Sequence, residues 1–311
     1  MPSALPPVIK WPGSKRSIAP FLGHLFPEKA RYFEPFVGGG AMLPFCQSPT
    51  AFASDIIPEL IALWVAIRDA PQEVSDGYRE RWLCRQRDGH TVYYAIRDRF
   101  NKGRDPIDFL FLSRTCVNGL IRFNRNGGFN NSLHHTRPGI GPERLDEVLC
   151  CWSRAVQGVS FEACDYREAL SQMREGDFAF LDPPYEATRG RYRPDAFDVE
   201  EFYEQLQRLN EIGAKWMLTY DGRAGVRKYA ASLPENLYTS KLGIATGHSP
   251  FTRLMGTTLD EVVESVYLNY EPPRQFGGSV AQQSEKPVQL LVGFDVNDGL
   301  SRTGLELKPE N

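Results

Sequence analysis

The residues of this 311-residue chain best suited to chemistry are Asp182-Pro183-Pro184-Tyr185, which directly follow the apolar run Phe178–Leu181. An apolar run that ends in an acid and two prolines is typical of a buried strand stopped at its carboxyl end, because proline cannot donate to a sheet ladder. We interpret the four residues as a site for an amino group conjugated to a flat ring. Asp182 and the Pro183 carbonyl would accept the two amino protons, which frees the nitrogen lone pair for attack, and Tyr185 would stack on the ring. The alternative is that they form only a rigid turn.

Two further acids follow predicted strands, at the position where open α/β sheets bind ligands. Asp55 follows the short strand 51–54. A carboxylate at the tip of the second strand can accept from both hydroxyls of a ribose, so Asp55 is a candidate ribose ligand, with a helix N-cap as the alternative. Asp165 and Tyr166 follow the strand 159–164, and the adenine of a cofactor would be their natural neighbour.

A glycine-rich turn, Gly38-Gly39-Gly40, follows the first predicted strand, 32–37. Glycines let the backbone approach a ligand closely. The spacing does not fit the dinucleotide fingerprint, because Leu43 stands where the last glycine of that motif would lie, and a phosphate-binding loop would need Gly-Lys before Ser or Thr. A cofactor without a pyrophosphate fits better. Upstream, the turn 10–15 holds two lysines and the ring of Trp11, for which an N-terminal strap is an equally open interpretation.

The α/β alternation disappears over residues 71–153, where the pattern predicts helices at 73–87, 91–102 and 106–117. Residues 109–142 contain no acid and surround a Gly127-Gly128 turn. Guanidinium and carboxamide groups read guanine and adenine edges, and arginine also holds phosphates, so we predict contact with nucleic acid; the alternative is a solvated polar hairpin. The candidate residues here are Arg114, Asn118, Arg122, Asn124, Arg125, Asn130 and Arg137, with Arg189 and Arg191 as candidate phosphate contacts after the proline motif.

Composition sets broad limits on the class of protein. Hydrophobic residues make up 41% of the chain and charged residues 24%, which is ordinary for a globular protein, and the net charge of −3 argues against a uniformly basic coat. The first residues do not resemble a secretory leader, and no apolar run approaches the roughly 20 residues of a membrane span, so we expect a cytoplasmic protein without membrane contact. The six cysteines are scattered, and no acid or cysteine lies near His134-His135, so neither a disulfide framework nor a metal site is predicted.

The remaining pattern completes an α/β arrangement. It predicts a helix at 199–212, a strand at 215–220, a helix at 224–231, a strand pair at 237–244 and 264–270, and a strand-like run at 288–296.

Five motifs in this order closely resemble the Dam-type, or alpha-class, DNA adenine-N6 methyltransferases over about residues 8–272. The motifs are Lys10 to Lys15, Phe33 to Gly40, Ser54 to Ile56, Asn118 to Asn124 with Gly128 to Asn130, and Leu181 to Tyr185. Two departures stand out. The family often continues Phe-Asn-x-Pro-x-Gly where this chain has Phe129 to His134, and the tail beyond Tyr270 is longer than the family usually carries.

The resemblance implies a Rossmann-like class I methyltransferase sheet, formed by residues 1–70 and 154–272, with an inserted, mainly helical target-recognition domain at 71–153 and an extension of unknown role at 273–311. It implies S-adenosylmethionine as methyl donor, S-adenosylhomocysteine as product, double-stranded DNA as partner and no metal, for a monomer or homodimer. The catalytic residues would be Asp182, Pro183, Pro184 and Tyr185. The donor would contact Trp11, Lys15, Glu34, Pro35, Phe36, Gly38, Gly39, Gly40, Asp55, Ile56, Asp165, Tyr166 and Asp182. Lys10 would join the DNA contacts.

The sequence favours base flipping and direct methyl transfer to adenine N6 over four other functions. Cytosine-N4 transfer uses the same chemistry, but Asp rather than Ser at the first motif position favours adenine. Transfer to cytosine C5 needs a cysteine nucleophile, typically after proline, and no Pro-Cys pair occurs. The glycine spacing disfavours a nicotinamide dehydrogenase. A protein that only binds DNA would have no use for Asp182 together with Tyr185.

Overall fold

A computed structural model describes residues 3–184, 197–224, 227–228, 233–248, 261–272, 280–281 and 288–291. Three predicted site residues, Tyr185, Arg189 and Arg191, lie outside these ranges, as does most of the predicted extension 273–311. None of the helices within the described ranges is both long and apolar enough to cross a bilayer.

The architecture is an α/β fold around one mixed sheet. Its strands are β1 (Tyr32–Glu34), β2 (Ala51–Asp55), β3 (Val159–Ala163), β4 (Phe178–Leu181), β5 (Lys215–Ala224), β6 (Arg227–Lys228), β7 (Ser240–His248), β8 (Glu261–Leu268), β9 (Val280–Ala281) and β10 (Val288–Leu291). They follow the order β3-β2-β1-β4-β5-β8-β7-β10-β9, with β6 paired to β5. Neighbouring strands from β3 to β5 are parallel, whereas β8 is antiparallel to both β5 and β7. The strand order reverses between β1 and β4, which is where open α/β sheets form a ligand-binding crevice.

Strand β4 is buried along its whole length, as expected for a central parallel strand covered on both faces. Its side chains alternate between two hydrophobic clusters, with Phe178 and Phe180 in one and Ala179 and Leu181 in the other. Because Asp182 comes next in the chain, the core on both faces of the sheet fixes where its backbone emerges.

Helices cover the sheet and form the inserted segment. Those of the sheet are α1 (Ala19–Gly23), α2 (Pro58–Asp69), α7 (Tyr166–Ser171) and α8 (Val199–Glu211). Those of the inserted segment are α3 (Pro71–Asp88), α4 (Thr91–Gly103), α5 (Pro106–Thr115) and α6 (Pro142–Ala155).

The inserted helices share a core with the sheet. One continuous cluster of buried residues runs from Phe178 and Phe180 through Trp64 of α2 to Phe109 of α5 and Trp152 of α6. Within the insertion, the buried carboxylate of Asp108 accepts from the Arg81 and Arg99 guanidinium groups, which pins α3, α4 and α5 together. The predicted division into a catalytic and a target-recognition domain stays a prediction.

The predicted α/β fold class is confirmed, and most predicted elements differ from the observed ones only at their ends. The first strand stops at Glu34 rather than residue 37, because Pro35 cannot donate to a ladder. The helix predicted at 224–231 is wrong where the structure describes it: β5 continues to Ala224, and Arg227–Lys228 form β6 antiparallel to β5. Backbone pairing with a neighbouring strand outweighs the local helical pattern there.

Candidate active site

A cavity of about 170 Å³ lies at the carboxyl ends of β1, β2 and β4. Its walls bring together fourteen of the residues predicted for catalysis or donor binding: Trp11, Lys15, Glu34, Pro35, Phe36, Gly38, Gly39, Asp55, Ile56, Asp165, Tyr166, Asp182, Pro183 and Pro184. Gly40 does not line it, and Tyr185 lies outside the described residues. The cavity thus brings together residues as far apart in the sequence as Trp11 and Pro184, which are 173 positions apart. Most of them meet because parallel strands end at one edge of the sheet.

Asp182 has one oxygen held by two donors. Its Oδ1 lies 2.9 Å from the Lys15 ammonium nitrogen and accepts a hydrogen bond of 2.7 Å from the Thr219 hydroxyl. The Asp182 side chain is 21% exposed and lines the cavity, whereas the Lys15 side chain is only 3% exposed. Both contacts that the described residues make with this carboxylate fall on Oδ1, so Oδ2 is the oxygen available to a substrate.

Burial raises the pKa of Asp182, and the Lys15 ammonium and the Thr219 hydroxyl act against that rise. The carboxylate of Glu264, whose Oε2 lies 3.7 Å from the Lys15 nitrogen, raises it further. A carboxylate with a raised pKa accepts protons and hydrogen bonds more strongly than an ordinary one, which suits an acceptor for an aromatic amine.

The glycine turn is packed against aromatic side chains. Gly38 has a φ of +44°, and a Cβ at this residue would come within 2.5 Å of the Trp11 indole nitrogen. The Gly38 carbonyl accepts from the Trp64 indole N–H at 3.0 Å, and a Cβ at Gly40, with a φ of +65°, would come within 2.9 Å of the Trp64 ring. Only glycine fits both positions, so Gly40 supports the turn that brings Gly38 and Gly39 to the cavity.

Asp55 ties β2 to this turn. Its Oδ2 accepts from the Gly38 N–H at 3.1 Å, and its Oδ1 accepts from the Ile57 N–H at 3.2 Å. Helix α2 begins at Pro58 with Ile57 as its N-cap residue, so Asp55 does not occupy the N-cap position proposed as the alternative. Burial raises the pKa of Asp55 to about 6 even though these N–H groups favour its ionised form. A carboxylate oxygen has more than one lone pair, so hydroxyls of a ligand can still bind here.

Aromatic rings form one wall of the cavity. The rings of Phe36 and Tyr166 stack at 5.4 Å between centroids, and Phe197 and Phe202 pack around them. The buried Tyr166 hydroxyl has no hydrogen-bond partner among the described residues. A buried polar atom of this kind calls for an explanation, and a ligand bound in the cavity would provide one.

Asp165 contacts its own neighbours in the chain, which the sequence did not indicate. It caps α7 by accepting from the Arg167 N–H at 2.9 Å, and its carboxylate pairs with the Arg167 guanidinium at 2.7 Å. The sequence prediction identified the acid at this strand end but neither α7 nor its cap.

Glu34, at the end of β1, is buried and accepts a hydrogen bond of 2.7 Å from the Tyr32 hydroxyl. Burial raises the pKa of Glu34 to about 8, the Tyr32 hydrogen bond lowers it, and the negative charge of Asp182 raises it. Three carboxyl groups on adjacent strands, those of Glu34, Asp55 and Asp182, therefore hold their negative charge at a cost.

A second, basic cavity of about 290 Å³ lies between the N-terminal segment and the inserted segment. Among the residues that the structure describes, its walls contain no acid and consist of Lys10, Arg114, Cys116, Asn118, His134, Arg137, Pro138 and Gly139. The pKa of Lys10 is lowered by burial and by the positive charges of Arg114 and Arg137. The buried Nε of Arg114 has no hydrogen-bond partner in the described part of the chain. An anion bound here would relieve this repulsion.

Part of the acid-free segment 109–142, which is predicted to contact nucleic acid, forms an irregular hairpin, with isolated bridges at Cys116↔Leu133 and Phe123↔Phe129. At its tip, the Asn124 side chain accepts from the backbone N–H groups of Asn126 and Gly128, so its carbonyl oxygen is engaged in the turn. Arg122 is exposed and donates to Asn130 at 2.9 Å, and Arg125 is exposed beside it. Arg122 and Arg125 thus reach solvent, whereas the acceptor of Asn124 serves the fold.

The strand order and the placement of acids at the carboxyl ends of β1, β2 and β4 define a Rossmann-like methyltransferase fold. The family model described as D12 class N6 adenine-specific DNA methyltransferase matches residues 11–248. The chain belongs to this family of enzymes, and the resemblance predicted from the five motifs is confirmed. The family assignment does not favour the cytosine-N4 alternative.

Relatives support the same assignment. The chain is 30% identical over 203 residues to the retron Ec67 DNA adenine methylase of Escherichia coli, covering 63% of this chain and 69% of that protein. It is 29% identical over 181 residues to the DNA adenine methylase of Vibrio cholerae, covering 57% of this chain and 64% of that protein. It is 28% identical over 243 residues to the type II methyltransferase M.MjaIII of Methanocaldococcus jannaschii, covering 68% of this chain and 83% of that protein. The chain spans about two thirds of the length of the first two relatives.

The raised pKa of Glu34 predicts a pH dependence of stability. Since its folded-state pKa lies near 8 rather than at its ordinary 4.5, ionisation destabilises the fold progressively as the pH rises between those values. Glu34→Gln keeps an acceptor for Tyr32 but does not titrate. We expect the unfolding free energy of the variant, relative to wild type, to increase between about pH 5 and pH 9, measured by urea unfolding. Glu28→Gln, at an exposed residue, is the control. A difference that stays constant across this range would show that Glu34 ionises in the folded protein as it does in water.

Proposed function

We propose that this protein transfers a methyl group from S-adenosylmethionine to the N6 amino group of an adenine flipped out of double-stranded DNA. The observation that carries the proposal is the Asp182 carboxylate, fixed through Oδ1 and lining the same cavity as the glycine turn and the aromatic wall. An acceptor of this kind at a strand end suits the amino group of a flat base. Flipping is required because N6 of a paired adenine is engaged within the duplex.

The residues around the cavity fit the proposed donor. Tyr166 and Phe36 offer a flat apolar wall for its adenine, and the Tyr166 hydroxyl, which has no partner among the residues that the structure describes, could bond to it. Asp55 offers carboxylate oxygens to the ribose hydroxyls, and the Gly38 and Gly39 backbone allows close approach. Glu34 offers a buried carboxyl group whose ionised form would be stabilised by an ammonium or sulfonium charge. When bound, S-adenosylmethionine supplies an electrophilic methyl group on its sulfonium sulfur and leaves as S-adenosylhomocysteine.

The chain's own residues then orient the amine. Asp182 Oδ2 accepts one N6 proton and the Pro183 carbonyl accepts the other, which makes the nitrogen more pyramidal and directs its lone pair at the methyl group. Transfer would be a direct displacement, in which a nitrogen–carbon bond would form as the carbon–sulfur bond of the donor breaks, with no covalent link to the enzyme. The methylated nitrogen would then lose one proton, for which Asp182, whose pKa is raised, would be the acceptor. Tyr185 would stack on the flipped base.

DNA would lie across the basic cavity and the hairpin. Lys10, Arg114 and Arg137 surround a space that no acid of the described ranges lines, which suits a phosphate or the acceptor edge of a base. Arg122 and Arg125 extend from the hairpin tip into solvent, where they can reach a groove. Arg189 and Arg191, on the segment after the proline motif, stay predictions as phosphate contacts. A cytoplasmic location, a monomeric or homodimeric state and the absence of a metal also stay predictions.

The proposed role of Asp182 predicts a large loss of turnover in Asp182→Asn. The amide places a donor where the amine needs an acceptor, so we expect kcat to fall by roughly 10²-fold or more with donor affinity less affected. Asp177→Asn is a matched control, because Asp177 is a buried carboxylate at the opposite end of β4 that pairs with Arg31. It should lower stability while kcat stays close to wild type. Near-normal turnover in folded Asp182→Asn would contradict the mechanism.

The proposed role of Asp55 predicts a loss of donor affinity. Asp55→Ala should weaken donor binding by about 1.5–3 kcal/mol, the range for hydrogen bonds to a charged group, with DNA binding in the absence of donor unchanged. Isothermal calorimetry measures both. Unchanged donor affinity would restrict Asp55 to holding the Gly38 turn.

The two basic regions predict different effects on sequence specificity. Arg122→Ala should relax preference at one base position, since one good base contact contributes about 1–3 kcal/mol of discrimination. Arg137→Ala should weaken binding to all sequences alike and flatten its salt dependence, as expected for a phosphate contact. Methylation-sensitive sequencing of DNA treated with each variant, together with binding titrations in salt, separates the two. An equally strict recognition motif for wild type and Arg122→Ala would assign the hairpin a phosphate or structural role instead.

A further inference from the structure

Thr219 is a residue that neither the sequence motifs nor the family assignment singles out, yet it touches the centre of the site. It is completely buried on β5, and its hydroxyl donates to Asp182 Oδ1 at 2.7 Å. The register of the parallel pair β4 and β5 explains the contact. Leu181 pairs with Leu218, so the next residues of the two strands, Asp182 and Thr219, emerge side by side.

The sheet is irregular directly after Thr219. Thr219 pairs with Val266 of β8 and Gly222 pairs with Glu264, so β5 has one more residue than β8 between these pairs. A bulge of this kind bends a strand and redirects its neighbours, and bulges are common beside active sites. Glu264 lies in the first pair after this bulge, and its Oε2 is 3.7 Å from the Lys15 nitrogen.

We propose that Thr219 is a positioning residue for methyl transfer: with Lys15 it clamps Oδ1 of Asp182, so that Oδ2 alone is presented to the adenine amine. The proposal rests on the function proposed above. A carboxylate free to rotate about its Cβ–Cγ bond would present either oxygen in many directions. Two donors on one oxygen fix this rotation, and the negative charge of Glu264 lies 3.7 Å from the buried Lys15 nitrogen, where it helps to balance the Lys15 charge.

The clamp also sets how Asp182 titrates. The charged groups that face Asp182 from the described elements around it are Lys15 of the N-terminal segment, Glu34 of β1 and Glu264 of β8. Lys15 favours the ionised carboxylate and Glu264 opposes it, whereas the repulsion between Asp182 and Glu34 raises the pKa of Glu34. The Thr219 hydroxyl adds to the effect of Lys15, since a hydrogen bond to the charged form lowers a pKa. Loss of the hydroxyl should therefore raise the pKa of Asp182 and move the acidic limb of the kcat profile to higher pH.

The test compares Thr219→Val, which removes the hydroxyl at nearly constant shape, with Thr219→Ser, which keeps it. We expect Thr219→Val to lower kcat by about tenfold or more, with KM for DNA and donor affinity close to wild type. Its acidic limb should shift upward by up to about one pH unit. Thr219→Ser should restore both. Thr115→Val is the matched control, because Thr115 is buried and donates to the Phe111 carbonyl within α5. It should affect the melting temperature only.

A second readout is independent of turnover. Carbon-13 NMR of protein labelled at the aspartate carboxyl carbons follows the titration of Asp182, assigned by comparison with Asp182→Asn. We expect the Asp182 pKa to be higher in Thr219→Val than in wild type and to return in Thr219→Ser. An unchanged titration and unchanged kcat in Thr219→Val would overturn the clamp, and so would an equal loss in Thr219→Ser, which would point to packing. Wild-type protein that methylates no DNA would contradict the proposed function, and the NMR titration would still decide the clamp.

Discussion

The contact on which the site depends is the hold of Lys15 and Thr219 on one oxygen of Asp182, where β4 and β5 end together. A carboxylate in this cavity loses much of its hydration, so it needs partners to stay ionised. Lys15 is itself buried and needs Glu264 nearby. The N-terminal segment, β4, β5 and β8 are therefore joined by one hydrogen bond and two ion pairs, which link Thr219 to Asp182, Asp182 to Lys15 and Lys15 to Glu264. These contacts explain why residues distant in sequence must fold together before the site exists.

The same edge of the sheet holds several buried polar groups that destabilise the protein when no ligand is bound to them. Glu34, Asp55 and Asp182 all have raised pKa values, and the buried Tyr166 hydroxyl has no partner within the described ranges. A donor that carries positive charge and hydroxyl groups would offset these costs, and a flipped base would use the open oxygen of Asp182. The basic cavity beside Lys10 shows the opposite imbalance, since its charges repel one another until an anion binds. Both regions are better suited to the bound state than to the free one.

Sequence patterns predicted the parts of the site that are encoded locally. An apolar run followed by Asp-Pro-Pro identified the end of β4, and three glycines after a short strand identified the turn that approaches Trp11. Thr219 and Glu264 could not be predicted in this way, because their roles follow from strand register and from a bulge between β5 and β8. Local reasoning also failed at β6, where pairing with β5 decides the conformation. The role of Asn124 in the hairpin turn, through its carbonyl oxygen, could not be predicted locally either, and its contact with DNA stays a prediction. Pairing partners distant along the chain leave no periodic signal of their own.

The identity of the methylated atom tests the proposed chemistry most directly. Duplex DNA would be incubated with the protein and a donor labelled in its transferable methyl group, then digested to nucleosides and separated by chromatography. We expect the label in N6-methyldeoxyadenosine, because the chain belongs to the D12 class of N6 adenine-specific DNA methyltransferases and its cavity is lined by Asp182 and Pro183. Label in N4-methyldeoxycytidine, or in no nucleoside for any duplex offered, would contradict the assignment of this site to adenine.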